Sequence, residues 1–212
     1  MLTLYYSPGA CSLVPHVALE ETGAQFEAKP VYLRKGQHKQ PEYLAINPKG
    51  KVPALDIGGC VLTENPAILT YIARTFPEAR LLPSGDLVKE VEALSLLCWF
   101  SSGVHPVIGR FFGPARICDA PGSEGRLLEI AREGTAQNFG MIEKMLEGRE
   151  WLLGDYSVAD AYAYVFFSWA KALNLDVSAY GNYAAHFERV GARQAVQRAL
   201  AREAEARAAM EG

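Results

Sequence analysis

Leu2-Thr3-Leu4-Tyr5-Tyr6-Ser7-Pro8-Gly9-Ala10-Cys11-Ser12 is the stretch that decides how this chain begins to fold. A short apolar and aromatic run ends at Ser7-Pro8-Gly9 and reads as a buried strand. Helical spacing follows from about Ser12 to Thr22 and is stopped by Gly23. Pro15 is compatible with that helix, because first-turn amides have no partner inside it. Cys11 therefore falls at a strand–helix junction. Unpaired amides and the positive helix end favour an anion there, which predicts a thiol pKa below its free value near ~8.5. A small, buried, inert cysteine is the other reading of the same residue.

Working outward, Phe26 to Leu33 reads as a second strand, and Lys29-Pro30 inside it points to an edge or irregular position. Tyr43 to Gly50 reads as a helical turn closed by Pro48 and Gly50. Val52 to Ile57 and Cys60 to Thr63 flank Gly58-Gly59, a two-residue hairpin signal. Pro66 sits where a helix accepts proline, and Ile68, Leu69, Ile72 and Ala73 give that helix an apolar face. The order describes a small α/β domain over residues 1–80. Prolines and a glycine close it at a linker, residues 81–85. From 86 to 212 the pattern is helical throughout, with long segments at Asp86 to Phe112 and Arg126 to Glu147. Ser157-Val158-Ala159-Asp160 carries a capping signature. Leu127, Ile130, Phe139, Ile142 and Leu146 are expected on one helix face, and the alanine-, arginine- and glutamate-rich tail is expected to fray. The fold class is thus α/β plus all-α.

The 212 residues are half apolar and 21% charged, the profile of an ordinary globular protein. A net charge of -3 is too mild to recruit nucleic acid or an anionic membrane, and no run approaches ~20 consecutive apolar residues. Cys11, Cys60, Cys98 and Cys118 have neither metal-type nor C-x-x-C spacing, so no metal is expected. Free thiols and the lack of a signal-peptide pattern lead us to expect a cytoplasmic protein.

Two further stretches carry chemistry. Val52-Pro53 opens a strand directly after Gly50-Lys51, and a cis bond there would expose the Val52 backbone N–H and C=O to an extended peptide. An ordinary trans proline fits the same residues. Thr63-Glu64-Asn65-Pro66 puts a carboxylate and an amide at a helix start, where amides can hold a ligand carboxylate and Glu64 can attract an ammonium. Plain capping by Asn65 is compatible with that.

Together, residues 5–12, Asn47-Pro48-Lys49-Gly50-Lys51-Val52-Pro53-Ala54-Leu55 and Leu62-Thr63-Glu64-Asn65 resemble the glutathione S-transferase family. The likeness is to the bacterial beta class, which has a cysteine where other classes have tyrosine or serine. Trp151 to Ala161 resembles the family's C-terminal signature, so the likeness spans essentially the whole chain.

The resemblance implies a thioredoxin-like N-terminal domain and an all-helical C-terminal domain shaping a second-substrate pocket, in a homodimer with the cleft between the domains. Glutathione would be the co-substrate, its cysteinyl part gripped by Val52 and Pro53 and its γ-glutamyl end by Glu64 and Asn65. Lys35 would reach the glycyl carboxylate. Cys11 would lie beside the glutathione sulfur and form a mixed disulfide with it. His105 would handle the thiol proton, with Ser102 and Cys98 facing the same cleft if the helix is unbroken, although Pro106 disfavours helical geometry at His105 itself. The implied activity is attack by the glutathione thiol on small electrophiles, a detoxification chemistry. A glutathione-dependent disulfide reductase, a dehalogenase or isomerase, and a non-catalytic interaction module are the rival readings. His16, His38 and His186 lack partners at ligand spacing and read as surface or packing residues. Asp160 reads as structural.

Overall fold

The computed structural model describes residues 1–211 and contains two compact units, Met1–Leu94 with residues 191–212, and Ser95–Val190. The first is built on strands β1 (Leu2–Tyr6), β2 (Phe26–Pro30), β3 (Ala54–Asp56) and β4 (Val61–Thr63), in the order β2-β1-β3-β4. β1 pairs parallel with β2 and antiparallel with β3, and Leu4 stands opposite both Ala28 and Leu55. The helix α1 (Leu13–Thr22) supplies the crossover between the parallel strands and ends at Gly23, whose φ of 66° suits a residue without Cβ. Helices α2 (Pro41–Leu44) and α3 (Asn65–Thr75) complete the α/β arrangement expected of a thioredoxin-like domain. Leu4, Val14, Ala18, Leu55, Ile68, Leu69 and Ile72 are fully buried, each side chain contributing about 1.5–3 kcal/mol for the larger apolar types. β2 is an edge strand, as its proline implied, and it stops at Pro30. Leu33 instead enters a short 3-10 turn, Leu33–Lys35.

The tail is helical through Glu211. Helix α9 (Gln194–Glu211) packs on α1, with Val196 and Ala199 buried. Two arginines meet adjacent carboxylates of α1: Arg193, just before α9, forks onto Glu21 at 2.6 and 3.1 Å, and Arg198 Nε of α9 lies 2.7 Å from Glu20. Ionic partners on another helix order a segment whose composition alone suggested mobility.

The second unit is helical, as expected, with α5 (His105–Gly109), α6 (Ser123–Met145), α7 (Val158–Ala172) and α8 (Gly181–Gly191) after the end of α4 (Leu87–Trp99). The run Leu87–Phe112 is long and apolar enough by composition to cross a membrane. Its buried residues Ala93, Leu97, Phe100, Val104 and Ile108 recur at helical spacing, the pattern of a helix facing a protein core. On α6 the buried positions are Ala131, Thr135, Asn138, Phe139 and Ile142, whereas Ile130 is exposed.

The expected break at His105 takes another form. Residues Phe100–Val104 form a π-helical turn, and the His105 amide donates to the Phe100 carbonyl, five residues back. His105 itself is helical at φ -56°, ψ -49°. The wider turn absorbs the missing amide of Pro106 before the helix reaches it. Gly103 makes room for it: a Cβ there would sit 2.7 Å from the Trp99 indole.

Ser157 and Asp160 form the capping box expected at the start of α7. Asp160 is fully buried and does more than cap: Oδ1 accepts from Leu152 N at 2.9 Å and faces His186 Nε2 at 2.8 Å, while Oδ2 accepts from Ser157 N. Replacing Asp160 with alanine orphans a buried amide pair and a buried imidazole. We expect a loss of about 3 kcal/mol or more, a drop of roughly 6–12 °C in thermal unfolding midpoint. Ser157→Ala should cost only about 1 kcal/mol.

Candidate active site

The loop from Ser7 to Ser12 is closed by a reciprocal clamp, in which Ser12 Oγ accepts from Ser7 N at 3.0 Å and donates to Ser7 O at 3.2 Å. The buried Glu203 of α9 accepts from the Gly9 amide at 2.7 Å, so the far end of the chain also holds this loop. His16, read as a surface or packing residue, is fully buried and packs tilted against Tyr6 with ring centroids 4.9 Å apart. His38 is partly exposed after the second strand.

Cys11 stands at the end of the clamped loop and is buried. The Val52–Pro53 bond is cis, and Cys11 Sγ donates toward the Val52 carbonyl at 3.8 Å. Asn65 does not cap its helix with its side chain; its Nδ2 reaches back to the Cys11 carbonyl at 3.1 Å. Asn65 Oδ1 is buried without a hydrogen-bond partner. Cys11, Val52, Pro53 and Asn65 are thus brought together from three separate segments.

The expectation of an acidic thiol at Cys11 is overturned. Burial pushes its pKa up to about 12, aided by the negative charge of Glu64; its own backbone amide and Asn65 pull the other way and lose. α1 begins at Leu13, two residues on, so the sulfur gains little from the helix end while losing water. At neutral pH Cys11 is a neutral thiol.

The turn before the cis bond is tightly held. Tyr43 Oη and Asn47 Nδ2 both donate to the Lys51 carbonyl, at 2.6 and 2.7 Å. Gly50, at φ +58°, lets this turn pass close to its neighbour, since a Cβ would stand 3.0 Å from the His38 carbonyl oxygen. Glu64 precedes α3 at φ 72°, ψ 124°, outside the region that residues with a Cβ favour. Such strain persists where surrounding structure imposes it, and it clusters at binding sites. Lys49, which sequence reading did not single out, places Nζ 2.8 Å from Glu64 Oε1 and 2.9 Å from Thr63 Oγ1. Nothing in the local pattern of the Asn47–Gly50 turn marks this pairing, which depends on where β4 ends.

Lys35 is exposed, with its ammonium 5.7 Å over the Tyr32 ring. In the helical unit, the Ser102 hydroxyl donates to the Cys98 carbonyl at 2.8 Å. Cys98 and Ser102 are exposed. The π turn changes their angular relation to His105 from that of an unbroken α-helix. The His105 ring packs edge-on to Trp169 at 5.0 Å and lies 6.3 Å from Phe166. Phe166 and Trp169 are buried, whereas Phe112 is half exposed beside Trp169.

A small mixed sheet with a buried thiol facing a cis-proline carbonyl defines the first unit as a thioredoxin-like domain with a thiol-handling site, followed by helices. The glutathione S-transferase N-terminal domain family matches residues 1–74, and the C-terminal domain family matches residues 105–194. The chain belongs to the glutathione S-transferase family, a family of enzymes. It is 34% identical to glutathione S-transferase GST-4.5 of Xanthomonas campestris over 94% of this chain and 97% of that one. Among solved structures, the beta class glutathione S-transferase of Sphingomonas chungbukensis is 38% identical with a TM-score of 0.84, covering 95% of this chain and 98% of that one. A sphingomonad glutathione S-transferase complexed with glutathione is also 38% identical, with a TM-score of 0.83 over the same shares of the two chains.

The thiol pKa is open to direct measurement. With Cys60, Cys98 and Cys118 replaced by serine, alkylation of Cys11 by iodoacetamide should quicken about tenfold per pH unit from 7 to 9 without levelling off, because the thiolate fraction rises that way below the pKa. A plateau near pH 9 would mean an ordinary thiol.

Proposed function

We propose that this protein is a glutathione transferase in which the sulfur of bound glutathione, not that of Cys11, attacks a small electrophile. The observation that carries the reading is the Cys11 thiol facing the carbonyl of the cis Val52–Pro53 bond, beside the start of α3. The Val52 backbone grips the cysteinyl part of glutathione as an added strand, with Pro53 setting its direction. Glu64 takes the γ-glutamyl ammonium, and the first amides of α3 with Asn65 take the neighbouring carboxylate. Lys35 serves the glycyl carboxylate.

A neutral Cys11 can offer its S–H to a glutathione thiolate, a weak contribution, because sulfur is a poor donor. His105 is assigned the larger part, accepting the glutathione proton, with Ser102 as a second polar contact. The support is the place the family resemblance gives His105 and the packing of its ring against Trp169. In attack on an aryl chloride, the thiolate forms a carbon–sulfur bond and chloride leaves with the electron pair. The high pKa of Cys11 favours this conjugation over disulfide reduction at neutral pH. A mixed disulfide still forms when Cys11 thiolate displaces one glutathione thiolate from oxidised glutathione.

The α4 face bearing Leu87, Val88, Val91 and Leu94 is 42–74% exposed, and a second copy covers it in the homodimer we propose. Four free cysteines suit the cytoplasm, where we place the enzyme.

Three measurements test the reading. With Cys60, Cys98 and Cys118 replaced by serine, Cys11→Ala should lose the glutathione adduct that intact mass detects after prolonged incubation with oxidised glutathione, yet keep conjugation of 1-chloro-2,4-dinitrobenzene within about tenfold. His105→Ala should lower the conjugation rate roughly tenfold to a hundredfold. Failure of the wild type to bind glutathione would favour an interaction module instead. For the dimer, Val91→Asp should shift sedimentation to the monomer; an unchanged species would remove this face from consideration.

A further inference from the structure

The ion pair between Lys49 and Glu64 closes the position that the reading above gives to the ligand's ammonium. Lys49 Nζ is 2.8 Å from Glu64 Oε1 and is also held by Thr63 Oγ1 at 2.9 Å. These are the distances at which a ligand ammonium would sit on the same carboxylate. Both side chains are more than half exposed, so the pair is weak enough to open.

The contact is not an accident of a floppy chain. The Lys49 amide donates to Asn47 Oδ1 at 3.1 Å, and Asn47 is itself buried and bonded to the Lys51 carbonyl. Thr63 ends β4, in register with Ala54 of β3 directly after the cis bond. Glu64 is fixed at positive φ. The turn that positions Val52 therefore also aims Lys49 at Glu64.

We propose that Lys49 is a built-in competitor for Glu64: its ammonium occupies the seat of the γ-glutamyl ammonium and is displaced when glutathione binds. This rests on the assignment of Glu64 to that ammonium. In the free protein Lys49 neutralises Glu64, and it sets specificity as well as affinity. A ligand without an ammonium leaves the Lys49–Glu64 pair intact and meets no bare carboxylate. A ligand with one exchanges a like pair for its own and gains little. Removing Lys49 sharpens the discrimination, because Glu64 then repels the first ligand and attracts the second.

The test is the dissociation constant, by calorimetry, of glutathione and of its des-amino analogue glutaryl-cysteinyl-glycine. The ratio of analogue to glutathione constants should rise about threefold or more in Lys49→Met and in Lys49→Gln, the size an exposed pair supports. Glutathione itself should bind no more weakly to either variant than to wild type. In Glu64→Gln the ratio should fall toward one, and adding Lys49→Met to that variant should change nothing further. A ratio unaffected by Glu64→Gln overturns the seat assigned to the ammonium, and this proposal with it. A ratio that collapses in Glu64→Gln but stays level or falls in the Lys49 variants overturns the competitor role alone. Weaker binding of both ligands to the Lys49 variants also overturns it, making Lys49 a partner for a ligand carboxylate.

Discussion

The Lys51 carbonyl accepts two side-chain donors at once, Tyr43 Oη and Asn47 Nδ2, and most of the candidate site depends on that junction. It ties the end of α2 and the Asn47–Gly50 turn to the residue before Val52. With the turn held, the Val52 carbonyl meets the Cys11 thiol and the Lys49 side chain meets Glu64. A surface loop thereby acquires the rigidity of the sheet it feeds, which suits a backbone that binds an extended ligand. The binding groups come from the loop before α1, the turn before β3 and the start of α3. Each of these joins a strand to a helix or leads into a strand, so the sheet core fixes their spacing.

At Cys11 two effects oppose each other, and their sizes decide the chemistry. A helix N-terminus contributes within its first turn, whereas taking a thiolate out of water acts wherever the sulfur is buried. Cys11 precedes the first helical residue by two positions and is enclosed, so desolvation wins and the thiol stays protonated. In the helical unit the His105 ring is held by an aromatic wall of Phe166 and Trp169.

Several charged residues away from the candidate site are structural. Glu20 binds Arg198 of α9, Glu21 binds Arg193 just before that helix, and Glu203 returns from α9 to the Gly9 amide. Asp160 gathers two backbone amides and His186 in a site closed to water. Both oxygens of Asp160 find donors, and removal of such a partner is costly because it leaves buried polar groups unpaired.

Local patterns in the sequence were enough for the strand–helix order, the edge position of β2, the hairpin at Gly58-Gly59 and the capping box at Ser157, because turn chemistry and periodicity act over a few residues. Residues 5–12, 47–55 and 62–65 also made the family legible, and with it the candidate positions Cys11, Val52, Pro53, Glu64 and Asn65, of which the structure brings Cys11, Val52, Pro53 and Asn65 together. Other features lay beyond any local signal. The raised pKa of the Cys11 thiol, the partner of Lys49 and the packing of α9 all depend on groups distant in the chain, whereas the cis isomer at Val52-Pro53 followed from the family resemblance. Burial and long-range pairing set a thiol's charge, a lysine's partner and a tail's mobility, and these exist only once the chain has closed on itself.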